Sequence, residues 1–384
     1  MSKRLGLFCF WDEEGIVDKY VEYLLQELKE NLTKLVVIVN GNIKQADIEK
    51  INLYAQEIYF RENTGYDGGA YAEYIRTCLL DADVSDFDEI VLCNNSFFGP
   101  IISLEDIFNK MEENEEIDFW GLRLVDKHLF AYLESYFLVF RKAIVRSGDL
   151  FDFFAKNDCL DNATYLEVCS CFERGLFAYL EQKGYRYGVY GIPNNYDIFC
   201  GADINTIYYH VPIVKKKITD LSKYKKEPLM NVIGYLQGNS RYNVELIFSY
   251  MDRKYGKSLI CEDFNRDLFE QRFQACERIP TYECEKENLE KFVRENREIY
   301  IYGAGFLAGN IWWVYKYKIN EFKGFIVSKK TEVTKDTYFG EEVKGIDDVP
   351  LNSNIIVALN KKNTLEVKEQ IEGKYNVFYF WDVE

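Results

Sequence analysis

Short apolar runs separated by stretches of helical periodicity open the chain, and this alternation limits the possible folds more than any other feature. Arg4 to Phe10 reads as a strand, Ile16 to Asn31 carries apolar residues at helical spacing, and Leu35 to Asn40 (LVVIVN) reads as a second strand. The pattern continues with a helix over Gln45 to Tyr54, a strand over Glu57 to Arg61, a loop over Glu62 to Gly69, a helix over Ala70 to Leu80 and a short buried strand over Glu89 to Cys93. Such an order predicts an α/β fold built on a parallel sheet. Doubly wound sheets bind ligands beyond the carboxyl ends of their strands, so the loops at 62–69 and 94–100 are expected to face one crevice.

Further along, Asp118 to Leu124, Ser135 to Arg141 and Tyr185 to Tyr190 read as strands, with helical stretches near Phe151 to Ala155 and Thr164 to Lys183. From Leu229 the pattern turns charged, helical and poor in glycine. Glu298 to Tyr302, a glycine turn, a helix and the strand Gly324 to Val327 then restart a βαβ unit. These shifts predict an α/β domain over 1–228, a helical connector over 229–296 and a small Rossmann-like domain over 297–384.

Composition narrows the function. Asp+Glu 63 against Lys+Arg 47 gives a formal net charge of -16, a field that repels phosphate backbones and argues against nucleic acid as a partner. The ten cysteines include no Cys-x-x-Cys, and the two histidines are His128 and His210, so a zinc ribbon is not supported. Reduced thiols and a cytoplasmic location are expected. The uncharged run Ile299 to Tyr315 is broken by Gly303, Gly305 and Gly309, which reads as strand, turn and buried helix rather than a membrane span.

Two segments concentrate polar side chains at the expected crevice. In Asn63-Thr64-Gly65-Tyr66-Asp67-Gly68-Gly69 the glycines allow close approach of a ligand, and Asn63 and Asp67 offer an amide and a carboxylate at a helix mouth. A turn capped by Asp67 accounts for Asp67 and some of the glycines, but not for the whole run. Asn94-Asn95-Ser96 follows a strand end, where such sheets hold nucleotides.

These segments, together with Asp118-Phe119-Trp120-Gly121, Leu133-Glu134-Ser135-Tyr136-Phe137 and Tyr165-Leu166-Glu167, resemble in order and spacing the rhamnan synthesis protein F family over roughly residues 1 to 225. The family comprises bacterial glycosyltransferases of surface-polysaccharide assembly. The resemblance implies a GT-A-like nucleotide-sugar fold, with Asn63, Gly65, Asp67, Gly68, Asn94, Asn95, Ser96 and Lys215 on the donor side. It also implies a base among Glu167, Glu134 and Asp118, with Glu167 first, because inverting transfer needs a carboxylate to take the acceptor's proton.

The leaving diphosphate needs positive charge, normally a divalent cation such as Mn or Mg held by carboxylates. Where the family typically reads Asn-Asp-Ser, this chain reads Asn94-Asn95-Ser96, and an amide is a weaker ligand for a hard cation than a carboxylate. Three alternatives stay open: a metal held elsewhere, with His210 a candidate beside Asn95; stabilisation by cationic side chains; or lost activity. Lys215, Lys216, Lys217, Lys223, Lys225 and Lys226 form a cluster that could neutralise a donor diphosphate or a lipid-linked acceptor at the inner face of a membrane, although most of it reads more readily as a solvated face.

Gly303, Gly305 and Gly309 form a candidate phosphate loop. A dinucleotide site would also want an acid closing the second strand, whereas Phe325-Ile326-Val327 runs into Ser328-Lys329-Lys330, so NAD is not expected. The leading expectation is transfer of a sugar, a deoxyhexose such as rhamnose being one candidate, from a nucleotide-sugar donor to a glycan or lipid-linked glycan acceptor. A non-catalytic relative that binds nucleotide sugar or glycan is the alternative, and a nicotinamide-dependent enzyme using the glycine turn is the second.

Overall fold

The computed structural model describes residues 2–127, 129–256, 264–276, 284, 286–332 and 334–382. His128 lies outside them. The chain divides into two compact units, one of Met1–Asp126, Leu133–Asn157 and Tyr185–Ile279, the other of Lys127–Tyr132, Asp158–Gly184 and Pro280–Glu384.

The first unit is built on a seven-stranded mixed sheet. Its opening strands are β1 (Arg4–Phe10), β2 (Lys34–Asn40), β3 (Glu57–Arg61) and β4 (Glu89–Asn94), and the spatial order is Tyr187–Val189, Phe119–Gly121, Phe137–Arg141, β4, β1, β2, β3. All pairs are parallel except those of Phe137–Arg141, which runs against both neighbours. β1 and β4 are buried along their whole length, as apolar strands covered on both faces must be. On one face Phe8, Phe10, Val37, Val39, Val91 and Val139 pack against Tyr20, Leu24 and Leu28 of the helix Lys19–Asn31. Because the chain runs outward from β1 through β2 to β3 and then returns to the other side of β1 at β4, the switch point lies beyond Phe10 and Asn94.

Helices Lys226–Asn239 and Glu245–Tyr255, expected in a connector, pack into this unit. Leu229, Val232, Ile233, Leu236, Ile247 and Met251 complete the core of the seven-stranded sheet, which is why the compact units divide the chain at other places than 228 and 296. The glycine-rich run after β3 is also less of a loop than its composition suggests. A helix spans Tyr66–Tyr74, so Gly68 lies in its first turn, and Gly65 is its N-cap in the left-handed conformation at φ 65°.

The second unit carries a six-stranded mixed sheet ordered Thr337–Tyr338, Glu341–Gly345, Phe322–Val327, Ile299–Tyr302, Asn354–Val357, Asn376–Tyr379, parallel except at Thr337–Tyr338. The helix Phe306–Tyr315 follows the central strand Ile299–Tyr302, as the βαβ reading requires. Among the described residues no helix is long and apolar enough to cross a membrane.

Candidate functional site

Beyond β4 and β1, four side chains form one polar line. Asn94, the last residue of β4, donates Nδ2 to Oδ2 of Asp67 at 2.8 Å, and Ser135 donates Oγ to the same oxygen at 3.3 Å. The other Asp67 oxygen accepts the N–H of Gly68 at 3.0 Å. Asp67 is therefore not the N-cap; it sits within the first turn with its carboxylate turned to the sheet edge. Burial raises its pKa, opposed by the Asn94 and Gly68 hydrogen bonds and by the Lys215 charge. Oδ1 of Asn94 accepts the N–H of Ser96 at 3.0 Å, and Oγ of Ser96 accepts Nζ of Lys215 at 2.9 Å.

Lys215 arrives from far along the chain. A two-residue antiparallel pairing sets Val214–Lys215 against Phe97–Phe98, which puts the lysine beside Ser96, its ammonium 4.4 Å from the ring centroid of Tyr136. The next residue, Lys216, donates Nζ to the Tyr20 hydroxyl at 3.0 Å. Burial brings Lys216 down to about 8, with Asp12 and Asp18 working against that shift. The remaining lysines of the cluster, 217, 223, 225 and 226, are exposed, so the cluster splits into two inward cations and a solvated face.

A second network fixes the loop after β3. Arg61, its guanidinium almost fully buried, pairs with Glu73 at 2.9 Å and donates to Thr64 Oγ1 at 3.1 Å and to the Asn40 amide oxygen. Asn40 then donates Nδ2 to Oδ1 of Asn63 at 2.7 Å. Asn63 is exposed and held by its oxygen, while Gly41 lies between it and Trp11: a Cβ at Gly41 would sit 3.5 Å from Asn63 Cβ and 3.9 Å from the Trp11 ring. Trp11 is 45% exposed at the end of β1.

Asn95, where the resemblance implies a metal-binding carboxylate, braces two strands. Its Oδ1 accepts the N–H of Trp11 at 3.2 Å, its Nδ2 donates to the Trp11 carbonyl at 2.9 Å, and its own carbonyl accepts the Tyr20 hydroxyl at 3.1 Å. Both ends of the amide thus brace β1 against β4. An aspartate could not make the donation to Trp11. His210 is an exposed residue at φ 55° and shares no hydrogen bond with Asn95 among the described residues. Among those residues no three or more His, Cys, Asp or Glu are grouped to hold a metal ion.

The three carboxylates expected as a base are widely separated in role. Asp118 precedes the strand Phe119–Gly121 at the end of the sheet opposite Asn94: Arg141 donates its N–H to the Asp118 carbonyl and pairs in register with Glu89, the first residue of β4. The Asp118 carboxylate accepts the N–H of Arg186 at 2.8 Å, so it cannot serve the crevice. Glu167 belongs to the C-terminal unit, where it closes a capping box with Thr164: the Thr164 N–H donates to Glu167 Oε2 at 2.8 Å and the Glu167 N–H to Thr164 Oγ1 at 3.4 Å. Glu134 is next in sequence to Ser135 and pairs through Oε1 with the fully buried Arg123 at 3.0 Å. Its Oε2 is buried without a hydrogen-bond partner.

Several residues that line this site carried no recognisable signal. Arg253, on the helix Glu245–Tyr255, clamps the loop after β1 through Asp18 at 2.6 Å, Asp12 at 3.0 Å and Glu14 at 3.1 Å. Asp12 also accepts the N–H groups of Glu14 and Ile16. The arginine and the loop it clamps are more than two hundred positions apart, and no local pattern links them.

In the C-terminal unit, packing accounts for two of the three glycines. A Cβ at Gly303, which sits at φ 120°, would lie 2.8 Å from the Ala358 carbonyl, and one at Gly309 would lie 2.7 Å from the Phe339 ring. At Gly305 the backbone is extended and the space is open, and its carbonyl accepts the Tyr338 hydroxyl at 3.2 Å.

Comparison with known proteins adds an independent line. A family described as rhamnan synthesis protein F matches residues 35–264. A virulence protein, VirA of Vibrio anguillarum, is 26% identical over 191 residues, covering 49% of this chain and 59% of the relative, so the chain spans little more than half the length of that protein. Among solved structures, the 4-diphosphocytidyl-2C-methyl-D-erythritol synthase of Anaerococcus prevotii is similar at a TM-score of 0.32 and 8% identity, over 49% of this chain and 88% of that one. Mouse xyloside xylosyltransferase 1 is similar at a TM-score of 0.30 and 8% identity, over 56% and 96%.

Proposed function

Because this chain belongs to the rhamnan synthesis protein F family, we propose that it is a GT-A-like glycosyltransferase that moves a sugar from a nucleotide-sugar donor to a growing cell-surface polysaccharide. The observation that carries the proposal is the line Asp67, Asn94, Ser96, Lys215 at the switch point of the first sheet. It sets a carboxylate, an amide, a hydroxyl and an ammonium along one crevice. Sugar hydroxyls are held by a carboxylate and an amide, and a diphosphate by a cation and N–H groups. Trp11, with its exposed ring beside Asn63, offers a flat face for the base.

Departure of the nucleoside diphosphate leaves negative charge on the bridging oxygen, and the crevice must meet it. Lys215 supplies the opposing positive charge in this reading, with Lys216 behind it. The side chains present do not suit a divalent cation: Asp67 is the one carboxylate on the line, both of its oxygens are hydrogen-bonded, and the Asn95 amide is committed to Trp11. For an inverting transfer the acceptor hydroxyl loses its proton to a carboxylate, and the proposed base is Glu134, next in sequence to Ser135, whose Oε2 is buried without a hydrogen-bond partner. Rhamnose or another deoxyhexose is the proposed sugar, and peripheral attachment at the inner membrane face the proposed location.

The test is a thermal-shift screen with nucleoside diphosphates and their sugars, followed by a transfer or donor-hydrolysis assay with the ligand that raises the melting temperature. Absence of any shift would remove the proposal. A second reading, a relative that binds the donor without transferring its sugar, is favoured by the engagement of Glu134 Oε1 with Arg123; it predicts a thermal shift without turnover.

A further inference from the structure

Cys159 and Cys171 stand twelve positions apart in sequence, yet in the C-terminal unit their sulfurs lie 3.1 Å from each other. Neither is in a disulfide; Cys159 is half-buried and Cys171 fully buried. Cys171 belongs to the π-helical segment Cys169–Gly175, which is fixed to the helix Phe306–Tyr315 in two places. Ser170 donates Oγ to Asn310 Oδ1 at 2.7 Å, and Gly175 approaches Trp313 so closely that a Cβ there would lie 2.8 Å from the indole ring. The buried sulfur is therefore held in position while the more accessible one comes to it from the 3-10 turn Asp158–Leu160. Cys169 is nearer to Cys171 in sequence, but residues two apart on a helix do not face each other.

A cation completes the group. The Lys316 ammonium rests on the Trp313 ring, 3.5 Å from its centroid, and interacts electrostatically with both sulfurs. Burial brings this lysine down to about 8. A positive charge beside a thiol favours the thiolate, the form that attacks a disulfide.

We infer that Cys159 and Cys171 are a dithiol built for reversible disulfide modification, with a low-molecular-weight disulfide as the oxidant. The Cys159 thiolate attacks one sulfur of that disulfide, forming a mixed disulfide and expelling one small thiolate. The Cys171 thiolate then attacks the Cys159 sulfur, breaks the mixed disulfide and expels the second. The protein loses two protons and two electrons, and the small disulfide is reduced to two thiols. A disulfide bond is about 2 Å long, so the sulfurs need to close by roughly 1 Å. The new bond would staple the capped helix Tyr165–Val168, which lies between the two cysteines, onto the segment already fixed to Phe306–Tyr315. This assignment does not depend on donor binding in the other unit.

The experiment equilibrates the full chain in graded mixtures of reduced and oxidised glutathione, blocks remaining thiols by alkylation and maps the peptides without reduction. The expected result is one linked pair, Cys159 with Cys171, lighter by two hydrogens, appearing in a single two-electron transition and accompanied by a higher melting temperature. Cys169→Ser should leave the transition in place, whereas Cys159→Ser and Cys171→Ser should each abolish it. Lys316→Met should slow formation of the same pair several-fold near neutral pH, and an unchanged rate would overturn the part given to the lysine. Linkage to Cys169, a stable glutathione adduct on Cys159, or two persistent thiols across the whole range would overturn the inference.

Discussion

Asn94 and Asp67 meet at 2.8 Å, the amide at the end of β4 donating to a carboxylate in the first turn of the helix after β3. Two βα junctions that are 27 positions apart in sequence thus share one hydrogen bond at the switch point, which positions a carboxylate at the place where α/β sheets bind their ligands.

That carboxylate is expected to sacrifice stability for binding. Its pKa is raised by burial, so between the unfolded and folded values the native state binds the extra proton, and stability falls as pH rises through this window. Above that window the ionised Asp67 is therefore a cost to the fold. Asp67→Asn should lose the wild type's gain on acidification; because Asn94, Ser135 and Gly68 all donate to this side chain, one end of the new amide would face a donor, so the variant should melt at or below wild type at pH 7. It should also weaken donor binding by about tenfold or more, the usual worth of a charged hydrogen bond. Melting curves at several pH values, with and without nucleotide, check both halves.

Lys216 should give a slope of the opposite sign. Its native value of about 8 lies below the ordinary lysine value of 10.5, so between the two the unfolded chain holds a proton that the native state has released. Stability contributed by this group rises with pH across that window and is lowest below about 8, the full effect being at most about 3 kcal/mol. In Lys216→Met the difference from wild type should shrink as pH rises from 7 to about 10, as read by denaturant titration.

What was legible in the sequence follows the range of the interactions involved. β1, β2 and β4 are nearly uninterrupted apolar runs, Asn94 ends β4 and Asp67 comes soon after β3, so the crevice could be located from local pattern alone. Lys215 reaches Ser96 through a two-residue pairing across more than a hundred positions, and Arg253 reaches Asp18 across 235; neither leaves a local trace. The unit boundaries were hidden for the same reason, because Lys127–Tyr132 and Asp158–Gly184 are excursions whose partners lie beyond residue 280. Glu167 is a different matter. Thr164-Tyr165-Leu166-Glu167 spells out a capping box, a signature that accounts for this glutamate without any chemistry.

The two glutamates should accordingly separate in a single comparison. Glu167→Gln is expected to leave transfer or donor hydrolysis close to wild type and to cost at most about 1 kcal/mol of stability, since a cap is all it supplies. Glu134→Gln is expected to lower turnover by about a hundredfold or more, the usual contribution of a general base. Equal loss in both variants, measured as kcat with the donor that gives a thermal shift, would return Glu167 to the mechanism.

Asn95→Asp sets a carboxylate where the sequence resemblance implies one, and the geometry predicts no gain from it. The Trp11 carbonyl would lose its donor, and an ionised carboxylate would be set beside it and the Tyr20 hydroxyl's acceptor, the Asn95 carbonyl. A buried acceptor left without a partner costs about 1–3 kcal/mol, and repulsion between the carbonyl and the carboxylate adds to it. The variant should melt lower than wild type and remain no more responsive to manganese or magnesium, because the single other carboxylate on the line, Asp67, keeps its partners Asn94, Ser135 and Gly68. A melting temperature that rises with manganese in Asn95→Asp and not in wild type would show instead that the braced amide stands at a cation site, and Lys215 would then share the leaving charge with a metal.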